Sequence, residues 1–76
     1  LFRAGRLSEA EIELREAARR TPEDPAVLVT LGGVLLAQDR PAEAIPQFEA
    51  ALRIQPGSPD AREGLARAKA KLRRTE

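Results

Sequence analysis

The sequence predicts an all-α fold of antiparallel helical hairpins stacked at a period of 34 residues, and three observations carry that expectation. Shifted against itself by 34 positions, the chain brings Arg6 onto Arg40, Glu9 onto Glu43, Ala10 onto Ala44, Ala17 onto Ala51, Arg19 onto Arg53, Pro22 onto Pro56, Pro25 onto Pro59 and Leu31 onto Leu65. Proline recurs near each unit boundary, which marks a repeated helix pair rather than a chance echo between two alanine-rich helices. Hydrophobic residues are 42% of the 76 while aromatics are 3%, so the core must be aliphatic.

Each element follows from its punctuation. Gly5 breaks the chain, and Ser8 followed by Glu11 forms a capping box, so a first helix is expected from Glu9 to Arg20, ending ahead of Thr21 and Pro22. Asp24 is a good N-cap and Pro25 occupies the first helical turn, where a missing N–H costs nothing; that helix runs to about Gln38. Asp39, Arg40 and Pro41 make a short turn into a second helix, Ala42 to Ile54, which stops before the helix-ending cluster Gln55, Pro56 and Gly57. Ser58 and Pro59 repeat the earlier start, and the last helix reaches about Arg74. Pro46 is discordant: it removes a backbone donor after the first turn and is expected to kink or loosen its helix.

Leu31-Gly32, Leu35, Ala44, Phe48 and Pro56 fall at the spacing L-G-x-x-Y, A-x-x-x-F, P, and on those residues the chain resembles the tetratricopeptide repeat family. Leu28 stands where that pattern has Trp, and Leu35 where it has Tyr. The resemblance implies stacking into a right-handed superhelix. It divides one domain into the end of a preceding repeat (1–24), a full repeat (25–58) and a capping helix (59–76). The first helix of the upstream unit then survives only as Leu1 to Ala4, which leaves an open apolar end and predicts self-association. Leu1, rather than Met, at the first position reads as a segment of a longer polypeptide.

On a 3.6-residue wheel Leu28, Leu31, Gly32 and Leu35 share the stripe that the hairpin partner covers, while Ala26, Val29, Gly33, Leu36 and Ala37 form a second apolar stripe. A helix apolar nearly all round is normally buried, so something must cover that second stripe. The resemblance implies that it faces a concave groove where partner peptides lie, which makes those five residues the candidate contact set for a protein or peptide. The alternative is a structural element whose stripe is met by neighbouring helices of the array or by a second copy. Some members of the resembled family grip a C-terminal carboxylate with Lys and Asn; this chain has no Asn, and its stripe suits an apolar or weakly polar segment better than an acidic tail.

Composition removes most chemistry. With no Cys and no His, there is no disulfide, no thiolate nucleophile, and neither the commonest metal ligand nor the commonest general base. Ser8, Ser58, Thr21, Thr30 and Thr75 lack a base partner, and the two serines read as caps. Glu11 with Arg15, and Glu16 with Arg20, are i, i+4 surface pairs rather than catalytic carboxylates. Gly32-Gly33 lies inside a helix and cannot cradle phosphate. The chain thus reads as no enzyme, with no cofactor and no metal. Net charge is +1, but residues 60–76 hold six basic against three acidic side chains. Arg67, Lys71 and Arg74 could touch phosphates, yet interleaved acids and the lack of aromatic platforms argue against nucleic acid, and the macrodipole already favours cations there. The uncharged run Pro25 to Gln38 is too short to span a bilayer. No compartment is legible.

Overall fold

The computed structural model describes residues 4–75. Four helices follow one another: α1 (Ala4–Arg20), α2 (Pro25–Ala37), α3 (Pro41–Ile54) and α4 (Pro59–Thr75). The described residues contain no strand, and none of their helices is long and apolar enough to cross a membrane. The stacking order is simple: α1 packs on α2 alone, α3 packs on both α2 and α4, and α2 also touches α4.

Local chemistry explains the joints. The Asp24 carboxylate accepts from the Ala26 N–H at 3.0 Å, and the Ser58 hydroxyl accepts from the Ala61 N–H at 3.3 Å, so both expected N-caps are in place. Between α2 and α3 the chain reverses through a left-handed residue, Asp39, at φ 61°. Its N–H donates to Leu36 O at 2.9 Å and the Arg40 N–H donates to Leu35 O at 2.9 Å. This is a Schellman closure with Asp in the position usually given to Gly.

The first helix departs from expectation. Instead of breaking at Gly5 and starting after a Ser8 cap, α1 begins at Ala4 and carries both residues inside it. The extra turn places Leu7, half-buried, seven residues before Leu14 on the inward face, and Leu14 packs against the core. Ser8 is exposed, so its hydroxyl is left to water. Glu11, expected in the capping box, accepts instead from Arg15 Nε at 2.9 Å and Arg40 Nη1 at 2.7 Å. The remnant of an upstream helix expected at Leu1 to Ala4 falls outside the described residues except for Ala4, which is the first residue of α1. Pro46 sits within α3, whose helical assignment runs unbroken from Pro41 to Ile54. The carbonyl that it deprives of a donor belongs to Ala42, which is exposed and open to water.

The core is aliphatic apart from one ring. Leu31, Leu35, Ala44, Phe48 and Ala68 form one buried cluster, and Leu28, Ala51 and Ala61 a second. Phe48, 2% exposed, is gripped between two glycines. A Cβ built on Gly32 of α2 would lie 2.6 Å from the ring's Cζ, and one built on Gly64 of α4 would also collide with the ring. The absence of two methyl groups is therefore what lets α2, α3 and α4 close on a single phenyl group.

An ionic junction ties α1 to the α2–α3 turn. Arg40 donates to Glu11 and, through Nε and Nη2, to both carboxylate oxygens of Glu43, each at 2.7 Å. Arg15 approaches Glu43 at 3.7 Å. Hydrogen bonds from Arg40 hold the Glu11 and Glu43 carboxyls below their ordinary value of 4.5. The two carboxylates in turn hold the guanidinium above its already high value.

Candidate functional site

The second face of α2 is where the chain offers a site, because α2 carries no charged residue at all and α3 covers only one of its sides. Val29, Gly33 and Leu36 line a shallow cleft of about 160 Å³ against α4, with the edge of Phe48 at its base beside Gly64. Its far wall is polar: Asp60, Glu63 and Arg67. Glu63 and Arg67 pair with each other at 3.0 Å, both largely exposed, whereas Asp60 has no ion pair among the described residues.

The five residues expected on this face separate. Val29, Gly33 and Leu36 come together in the cleft. Ala26 lines an adjoining depression of about 240 Å³ with Pro25, Val29, Thr30, Gln55, Ser58 and Asp60, and Ala37 is exposed at the end of α2 without lining either. Val29 and Leu36 are half-buried and rest on the core clusters, so the helix supports its own second stripe in part. Gly33 is the open position: a Cβ there meets nothing within 4 Å. Thr30 has its hydroxyl committed to Ala26 O at 2.8 Å.

The polar wall from α4 was not anticipated. Its residues sit on the helix read as a cap, and nothing in the local pattern of that helix says which of its charges turn toward α2. The spacing Asp60, Glu63, Arg67 and Gly64 at i, i+3, i+4 and i+7 does put them on one helical face, which is the signal that could have found them.

Both depressions are smaller than the roughly 300–1,000 Å³ of small-molecule pockets. They suit individual side chains of a longer ligand. Of the cations weighed for phosphate contact, Arg67 is held by Glu63 and Lys71 by Asp39 at 3.3 Å, so two of the three face carboxylates within the chain.

A family model described as tetratricopeptide repeat matches residues 1–59 and, in a second register, residues 29–76. No curated protein and no solved structure matches the chain.

Proposed function

Because the chain belongs to the tetratricopeptide repeat family, whose repeats are generally protein–protein interaction modules, we propose that it is a non-catalytic scaffold that receives a peptide or helix in the α2–α4 cleft. The observation that carries this reading is the cleft itself, an apolar floor of Val29, Gly33 and Leu36 beside a charged wall. A matching segment presents an aliphatic side chain to the floor and a cationic one to Asp60 and Glu63, an apolar anchor with polar register. Repeat boundaries at 25–58, with the preceding stretch as the end of one unit and 59–76 as a cap, belong to the same proposal.

Gly33 supplies the test. Since a side chain there meets open space, Gly33→Leu fills the cleft without disturbing the core. Peptides selected from a display library on the wild-type chain are expected to lose at least about tenfold in affinity for this variant, the scale of one well-buried contact, with circular dichroism unchanged. Selected peptides that bind both proteins equally would sink the reading. The second reading, in which Val29 and Leu36 are covered by another copy, rests on the same apolar stripe. Val29→Asp with Leu36→Asp distinguishes it, because dissociation of an oligomer, rather than loss of the peptide, is then the outcome.

A further inference from the structure

The outer faces of α1 and α4 lie at opposite ends of the stack, and we infer that they recognise each other between copies of this chain, so that molecules associate head to tail. The internal period supplies the register. In the α2–α3 hairpin Leu28 clusters with Ala51, and Leu35 with Ala44. Moved by 34 positions, Ala44 and Ala51 become Ala10 and Ala17 on α1, while Leu28 and Leu35 become Arg62 and Lys69 on α4. Ala10 and Ala17 are half-buried and Arg62 and Lys69 exposed. The face of α4 that corresponds to the covered face of α2 is thus cationic where its counterpart is leucine. It keeps one apolar residue at its centre, Leu65, half-buried.

The α1 face carries the opposite sign. Glu9 and Glu13 bracket Ala10 and have no ion pair among the described residues, and neither do Arg62 and Lys69. Glu16, further along, is shared by Arg19 and Arg20. Ile12 beside them is 71% exposed. Small alanines permit close helix approach, and the carboxylates on α1 face the ammonium and guanidinium groups that α4 offers in the same register. α4 of one copy and α1 of the next then form the helix pair that α2 and α3 form within a chain. Such a contact is heterologous, so it propagates unless it closes into a ring. One helix pair buries less than the ~1,200 Å² of a stable interface, which makes the association weak and salt-dependent. It does not involve the cleft and stands apart from the peptide reading.

The test is charge reversal on the 76-residue chain, followed by sedimentation over a wide concentration range. Wild type is expected to self-associate, at least about tenfold more weakly at high salt than at low salt. Glu9→Lys with Glu13→Lys, or Arg62→Glu with Lys69→Glu, should each leave a folded monomer. An equimolar mixture of the two variants should associate again, since both of its junctions pair opposite charges. A monomeric wild type overturns the inference, and so do variants that associate as wild type does, or a mixture that stays monomeric.

Discussion

A single phenyl ring held by two glycines makes positions 32 and 64 the least tolerant in the chain. Gly32→Ala brings a methyl within 2.6 Å of a ring that is already walled on its other side by Gly64, so the ring cannot retreat. Overpacking of this kind costs about 1–3 kcal/mol, against a core that in so small a domain contributes roughly 3–5. Gly32→Ala and Gly64→Ala are each expected to lower the thermal midpoint sharply. Adding Phe48→Leu should recover part of the loss, giving a coupling of at least about 1 kcal/mol in a denaturant double-mutant cycle; strict additivity would show that the ring is not the obstacle. Gly32 was readable beforehand as a small residue of the hairpin stripe. Gly64 was not, because its obligation is to a ring sixteen positions away on another helix and leaves no local trace.

Among the elements, α3 carries the one residue that contradicts helix formation. Pro46 removes a donor in the second turn and leaves the Ala42 carbonyl to water, yet the helical assignment continues on both sides. Pro46→Ala should stabilise the chain by about 1–2 kcal/mol, less than the full ~3 kcal/mol interior penalty because proline also restricts the unfolded chain. Urea denaturation reads this directly, and a neutral result would mean that the helix had already absorbed the defect. The other boundaries show what local pattern reveals and what it does not. Asp24-Pro25 and Ser58-Pro59 marked the starts of α2 and α4 because cap and proline act on adjacent backbone. The start of α1 was misplaced because Gly5 and Ser8 are permissive as well as helix-breaking. Inward-facing Leu7 and Leu14 make the longer helix worthwhile, and that gain appears only once α2 is in place. In the cleft, Val29, Gly33 and Leu36 were legible from helical periodicity, while the α4 wall depended on how two helices pack.

At the scale of the whole molecule, the junction around Arg40 joins α1 to the remainder, and its carboxylates give stability a pH dependence of known sign. Glu11 and Glu43 titrate below 4.5 in the folded chain and at the ordinary value in the unfolded one. The unfolded state therefore binds more protons in the acid range. Their contribution is complete above pH 4.5 and fades as pH falls through the folded values. Arg40→Met should lower the thermal midpoint at pH 7, and the gap from wild type should narrow as the solution is acidified below 4.5. A gap independent of pH would mean that Arg40 stabilises through its stem alone. The partners Glu11 and Arg40 stand 29 residues apart, so no helix-spacing rule pairs them. The hub position of α2, which alone touches every other helix, has its own consequence. Anything that seats against it is coupled to the melting of the entire chain, and at a hundred times its dissociation constant such a ligand adds about 2.7 kcal/mol. An unknown binder therefore announces itself as a shift in heat resistance before anyone learns what it is.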